Sequence, residues 1–203
     1  MAEMKQTFEK YRVRVLCEDR CHYDFIRGFF ISQGVEGNRK FNLCADLPEG
    51  KGSAEQHVKK HFYSALRSYA RSGENIFLIV ALDADTSDSK EILQLLNGIA
   101  QENGGDEIKD SDKLFLMLPK RNIETWFEWF DAINTGNVSV DETIDYKQRH
   151  KKAKSQKYGE NFSKMYMEYL GKNDKSTCEL APPSLQLACD DFAKFCGFLG
   201  RTS

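Results

Sequence analysis

The stretch Ile76-Phe77-Leu78-Ile79-Val80-Ala81-Leu82-Asp83-Ala84-Asp85 decides how the whole 203-residue chain is read. Its continuous apolar run, Ile76 to Leu82, is far too short to span a membrane. It lies between Gly73 and Asp83 and suits a central strand of a parallel sheet, covered on both faces. Parallel strands need crossover connections, usually helices, and the flanking sequence supplies them.

Upstream, Val58, Phe62, Ala65, Leu66 and Tyr69 repeat on one helical face behind a Ser53-x-x-Gln56 capping box. Asn42 to Ala45 reads as a short strand, followed by the turn-rich Pro48-Glu-Gly-Lys-Gly52. Before it, Phe25, Ile26, Phe29 and Phe30 mark a helix over 21–32, with Gly34 as its C-cap. The first strand is predicted over 12–17, where the sequence alternates and is β-branched before stopping at Glu18-Asp19. Downstream, Asp88-x-x-Glu91 opens a helix carrying Ile92, Leu95, Leu96 and Ile99, and Asn103-Gly104-Gly105 ends it. Leu114 to Leu118 is a further buried strand, and Asn122 is placed to cap a helix with Ile123, Trp126, Phe127 and Phe130. Strand followed by helix, repeated about four times, predicts an α/β fold with a doubly wound parallel sheet.

The character changes after residue 134. Asn134-Thr-Gly-Asn137 is loop-like, 147–157 holds six Lys/Arg and no acid, and helical patterns follow at 160–170 and, after Pro182-Pro183, at 184–199. The expected division is an α/β domain over 1–134 and a mostly helical extension over 135–203. With 29 Lys+Arg against 31 Asp+Glu, the net charge of −2 excludes a uniformly basic nucleic-acid binder. That total conceals a segregation. Residues 83–112 hold nine acids and two lysines, a balance of −7, while 147–157 contributes +6. Met1 to Lys10 lacks the apolar core of a signal peptide, so a cytoplasmic setting without a membrane partner is expected. Cys17, Cys21, Cys44, Cys178, Cys189 and Cys196 form no pair of CxxC motifs, which disfavours zinc and favours reduced, mostly buried thiols.

In an open parallel sheet, ligands bind at the C-terminal ends of the strands. Acids fall at three such ends: Glu18 after the first strand, Asp83 and Asp85 after the third, and Glu124 beyond the fourth. Each alone has an ordinary use as a cap, a turn residue or a solvated loop residue, and Glu124 suits the first turn of a helix. Their joint placement is more specific. Four converging carboxylates repel one another unless some protonate or a cation joins them. All-oxygen ligation favours a hard ion, Mg2+ first and Mn2+ second.

Cys17-Glu18, the strand ending in Leu82-Asp83-Ala84-Asp85, and Arg121-Asn122-Ile123-Glu124-Thr125-Trp126 together resemble the TOPRIM family. The likeness is greatest to its small OLD-type and RloB-like members associated with phage defence, and covers about residues 11–130. In that family a glutamate follows the first strand, a DxD the third and an R-x-I-E-x-aromatic element the fourth. Many members carry glycine after the first glutamate and an acid a few residues on. Here Asp19 follows Glu18 directly, with His22 and Asp24 beyond, which leaves the ligands of any second metal open.

The resemblance implies a TOPRIM sheet of about four strands and Mg2+-dependent cleavage of nucleic-acid phosphodiesters. Asp83 and Asp85 would hold the metal with Glu18, unless Glu18 is the general base, and Glu124 would join the ligands or orient a metal-bound water. Lys120 or Arg121 would neutralise charge developing on the phosphate. Lys147, Arg149, Lys151, Lys152, Lys154 and Lys157 are the candidate phosphate contacts, and equally the pattern of an exposed loop or solvated helix face. His22 is a secondary candidate for proton transfer. His57 and His61, four apart on a helical pattern, lack a third ligand and read as surface or packing residues. Trp126 and Trp129 read as core residues.

The OLD likeness also implies an ABC-type ATPase partner. No G-x-x-x-x-G-K-[ST] motif is present, so that partner would act in trans, and a homo-oligomer is left open. Two other readings compete. A haloacid-dehalogenase-type phosphatase has its DxD on the first strand with Thr or Val two residues on, whereas this DxD falls on the third and is followed by Ser87. A non-catalytic or partner-activated subunit would keep the fold and need its partner for activity.

Overall fold

The computed structural model describes residues 11–34, 42–48, 54–85, 87–136, 139–172 and 179–200. The elements run β1 (Arg12–Cys17), α1 (Arg20–Ser32), β2 (Asn42–Asp46) and α2 (Ala54–Ala65), which passes into a π-helical turn over Leu66–Ala70. Then come β3 (Ile76–Ala81), α3 (Ser89–Glu102), β4 (Leu114–Met117), α4 (Glu124–Asn134), α5 (Ser155–Lys172) and α6 (Pro183–Gly200). The four strands are all parallel, in the order β2-β1-β3-β4. This is the expected α/β, Rossmann-like architecture with a helical C-terminal part.

Alternation along the strands assigns the two faces. Val13, Val15, Phe77, Ile79 and Phe115 point to one core with Phe25 and Phe29 of α1, Trp126 and Phe127 of α4, Phe162 and Tyr166 of α5, and Leu185 and Phe192 of α6. Leu16, Leu78 and Val80 face the other, with Val58 and Phe62 of α2 and Ile92 and Leu96 of α3. Every residue of β3 is buried, as its apolar run required. The helices beyond residue 134 therefore share a core with the sheet. Trp126 and Trp129, both fully buried, tie α4 to the start of α6 through Nε1 bonds to Ser184 Oγ (2.8 Å) and the Leu180 carbonyl (3.2 Å). At the open edge of the sheet, the Leu116 N–H donates to Asp191 of α6 at 2.9 Å, so that edge is covered.

Among the described residues no helix is long and apolar enough to cross a membrane. The caps at Gly34 (φ 71°) and Gly104 (φ 77°) take the left-handed conformation that glycine tolerates. Two expectations change. Leu95 is exposed, because Ile92, Leu96 and Ala100 form the buried stripe of α3. Asn122 does not cap α4: its Nδ2 donates instead to Asp145 (3.0 Å), and the Ile123 N–H is taken by Asp83 from the neighbouring strand end. The Ser53 capping box lies outside the described residues.

The Asp88 box forms in full. The Lys90 and Glu91 N–H groups donate to Asp88 Oδ1 at 2.8 and 2.9 Å, and the Asp88 N–H to Glu91 at 3.0 Å. Asp88→Ala is expected to destabilise the protein by about 1 kcal/mol. Thermal unfolding checks this, and an unchanged Tm removes the box from the stabilising contacts of α3.

Candidate active site

The chain leaves β1 toward β2 on one side of the sheet and returns to β3 on the other, so a crevice opens between the C-terminal ends of β1 and β3. Glu18 and Asp83 stand there. The Glu18 N–H donates to the Ala81 carbonyl at 3.0 Å, and the Asp83 N–H to Glu18 Oε2 at 2.9 Å. Asp83 is almost fully buried and all its visible partners are donors. Oδ1 accepts from the Ile123 N–H at the start of α4 (3.0 Å) and from His22 Nε2 (3.1 Å), while Oδ2 faces Lys147 Nζ at 3.3 Å.

His22 is completely buried between two carboxylates, with Nδ1 donating to Asp19 at 2.8 Å and Nε2 to Asp83. Both ring nitrogens facing acceptors calls for the imidazolium. Burial opposes that charge, yet Asp83 and Asp19 outweigh it and raise the pKa to about 10. Asp19 answers in the other direction. Burial raises its pKa, but the bonds and charge of His22 prevail and lower it to about 2. Asp19 also caps α1, accepting the His22 N–H at 3.0 Å, so one residue both starts the helix and fixes the ring it carries.

Glu18 and Glu124 behave differently. Burial, and then the charge of Asp83, push the Glu18 carboxyl up. Burial pushes Glu124 up as well, with Asp83 adding to it and Lys147 opposing. Glu124 Oε2 is buried with no hydrogen-bond partner. Four carboxylates (Glu18, Asp19, Asp83, Glu124) thus meet two cations (His22, Lys147), leaving negative charge in excess.

The loops after β3 and β4 are joined by backbone bonds, from the Ala84 N–H to the Pro119 carbonyl (2.9 Å) and from the Arg121 N–H to the Asp85 carbonyl (3.0 Å). Asp85 (φ 50°) and Arg121 (φ 67°) are both left-handed without being glycine. Such strain, about 1 kcal/mol or more per residue, concentrates at functional sites. Asp85 itself is exposed. Lys120 is felt in the 139–146 segment only as a minor influence: the hydrogen bonds of Thr143 chiefly lower the pKa of Asp141, and burial raises that of Glu142 against the hydrogen bonds of Ser184, with Lys120 adding a little to the lowering in each case.

The basic segment divides. Lys147 reaches Asp83, and Arg149 pairs with Glu128 and lies over the Tyr146 ring at 5.5 Å. Lys151, Lys152, Lys154 and Lys157 are exposed. A cleft of about 530 Å³ opens beside this segment, lined by Glu128, Asp131, Arg149, His150, Lys152 and Tyr158 among others. The buried His150 ring bonds Glu128 there at 2.9 Å.

The fold therefore sets Glu18 against Asp83, with Glu124 within reach of the charge of Asp83, adds Asp19, His22 and Lys147, and leaves Asp85 exposed. Asp19, read as a loop acid, was detectable only as an acid three residues before a histidine at a helix start. Lys147 had no signal separating it from its basic neighbours. Among the described residues, no three His, Cys, Asp or Glu side chains already converge as a ready metal-binding group. His57 bonds Asp46 at 3.1 Å and its ring lies 4.7 Å from that of His61. Cys17 and Cys189 are buried, and Cys21 and Cys44 are half-buried, all four as reduced thiols. Compared with known proteins, the chain matches no family model, no curated protein and no solved structure.

Proposed function

We propose that the chain is a Mg2+-dependent phosphodiesterase of the TOPRIM type that cleaves nucleic acid, with Mn2+ as an alternative ion. Its setting would be cytoplasmic anti-phage defence, with an ABC-type ATPase in trans. The observation that carries this reading is the contact of Glu18 with Asp83 at the sheet's switch point, where the charge of Asp83 also reaches Glu124, whose Oε2 is buried and unpartnered. The donor set has the chemistry of a hard-cation site, but its side chains do not converge as a metal-binding group among the described residues and would have to close around an ion. Its oxygens are anionic, and two of its acids are pushed up by burial and by Asp83, a cost that a cation removes. Glu18, Asp83 and Glu124 would hold the ion, with Asp85 supplied from the adjoining loop.

When bound, the ion would polarise the phosphodiester and lower the pKa of an attacking water. The chain's own residues do the positioning. His22 and the Ile123 N–H lock Asp83 through Oδ1, which leaves Oδ2 as the oxygen turned to Lys147. Glu124 offers an oxygen for which no donor competes. Lys151, Lys152, Lys154 and Lys157 are free in solvent to neutralise backbone phosphates, which gives salt-sensitive, sequence-independent binding.

The test is cleavage of single- and double-stranded DNA and RNA with Mg2+, with Mn2+ and with EDTA. Cleavage in either metal that EDTA abolishes and added salt weakens is expected. Cleavage that survives EDTA overturns the metal assignment. No cleavage of any substrate overturns the nuclease reading for the chain alone and favours the partner-activated subunit.

A further inference from the structure

We infer that the cleft between α4 and the 149–153 turn takes one unpaired nucleotide of a nucleic-acid strand, its phosphate on Arg149 and Lys152 and its base on Asp131. This rests on the nucleic-acid reading above and names the form of the substrate.

The cleft, about 530 Å³, has the size of a small-ligand pocket, room for one nucleotide and not for a duplex. One wall is α4, with Glu128 and Asp131 a turn apart, and the other carries Arg149, His150 and Lys152. The charge of Glu128 is already met, since it pairs with Arg149 and accepts from His150 Nε2 at 2.9 Å. Asp131 is more open. Its side chain is 56% exposed, its Oδ2 accepts the Tyr158 hydroxyl at 2.8 Å, and His150 Nδ1 stands 4.0 Å off, beyond hydrogen-bonding distance. Across from it, Lys152 is exposed, and Arg149 has five donors in its fork, more than Glu128 can accept. Tyr158 is stacked on Phe127 (4.3 Å, 11°) and meets the buried His150 edge-on, so the floor is already formed.

A nucleotide has the matching polarity. Its phosphate is anionic, and at the other end adenine, cytosine and guanine carry an amino group that a carboxylate accepts, which thymine and uracil lack. A base enters such a cleft only when it is unpaired or has been flipped out of its stack, which favours a single strand. The same turn of chain links the cleft to the crevice of the sheet. Lys147 pairs with Asp83 and Arg149 lines the cleft, and the Cα atoms of these two residues are at most about 7.6 Å apart. A strand anchored in the cleft is thereby led toward Asp83.

The experiment measures fluorescence anisotropy of labelled short strands on the full chain in EDTA, where metal-dependent cleavage does not intervene. The probes are C-only and T-only DNA, C-only and U-only RNA, and a mixed DNA strand with and without its complement. The C-only strand is expected to bind about tenfold more tightly than the T-only or U-only strand, and the mixed strand more tightly than its duplex. Asp131→Asn, whose carbonyl still accepts from Tyr158, should lose the preference for C. Lys152→Gln should weaken all single strands several-fold and alike, and Lys90→Gln, on α3 across the sheet, should bind as wild type does. Equal binding of C-only and T-only or U-only strands, a preference that survives Asp131→Asn, a duplex bound as well as its strand, or an equal loss in Lys90→Gln overturns the cleft assignment. Cleavage by the same protein in Mg2+ then leaves the nuclease reading standing. Free dCMP bound as tightly as the C-only strand overturns a strand as the occupant. No binding of any probe overturns the cleft and the nucleic-acid reading together. A preference for C that Asp131→Asn removes, in a chain that cleaves no nucleic acid, supports the cleft and overturns the nuclease reading.

Discussion

Asparagine in place of Asp83 is expected to destabilise the protein most strongly below about pH 6.5 and, on the proposed function, to remove metal-dependent cleavage. The substitution keeps the shape and an acceptor for the Ile123 N–H, and takes away the charge. A carboxylate central to the proposed ion site is lost, so activity should fall by at least about a hundredfold. The stability effect runs through His22, since the charge of Asp83 is the largest of the influences that raise its pKa to about 10. A histidine whose folded pKa exceeds its unfolded value stabilises fully below about 6.5 and loses that contribution as pH climbs toward the folded value. Without Asp83 the folded pKa drops and the loss begins at lower pH. The gap between wild type and variant should thus be widest at about pH 6, of the order of 3 kcal/mol for a buried cation deprived of one partner, and should close toward about pH 10. Denaturant unfolding across that range reads it, and a gap of equal size at every pH means His22 is not charged through Asp83. At the acid end the sign reverses. Asp19, depressed to about 2, contributes stability above its ordinary range and loses it as pH falls toward that value in both proteins.

How much of this could be read from the chain follows from the range of each interaction. β1, β3 and β4 announce themselves because an alternating or continuous apolar run is a local signal, and β3 is buried along its whole length as that run demands. The placing of Glu18, Asp83 and Glu124 was legible for a related reason: once strands are assigned, ligand-bearing residues are sought at their C-terminal ends. The bond from His22 to Asp83 joins residues 61 positions apart and has no local trace. Lys147 is harder still. In a run of six cations it looks like its neighbours, and only the path of the 139–153 segment brings it, and not Lys151 or Lys154, to Asp83. Asn122 shows the limit of a cap signal. A polar residue before a helix predicts a local bond, but a carboxylate from another strand reached the helix terminus first.

Alanine at Gly28 or at Gly159 is expected to cost more stability than any other single methyl added among the described glycines. The two lie where α1 crosses α5. A Cβ on Gly28 would stand closer than 3.0 Å to the carbonyl oxygen of Gln156, and one on Gly159 equally close to the carbonyl oxygen of Phe25. Both obstacles are backbone, so no rotamer change relieves them and the helices must separate. Separation opens the packing of Phe25 and Phe29 against Phe162, whose ring centroids lie 5.7 Å from each. Overpacking of this kind costs about 3 kcal/mol, well above the gain of about 1 kcal/mol that alanine brings to a helix interior. Gly98 in α3 supplies the contrast, since its added Cβ would meet nothing within 4 Å. Gly98→Ala should therefore raise stability by about 0.5–1 kcal/mol. Because the contact is shared, the Gly28→Ala/Gly159→Ala double variant should lose less than the sum of the singles. α1 also carries His22, so a displaced α1 should loosen its hold on Asp83 in the same variants. A Gly28→Ala protein that melts with wild type would show that α1 and α5 do not approach this closely.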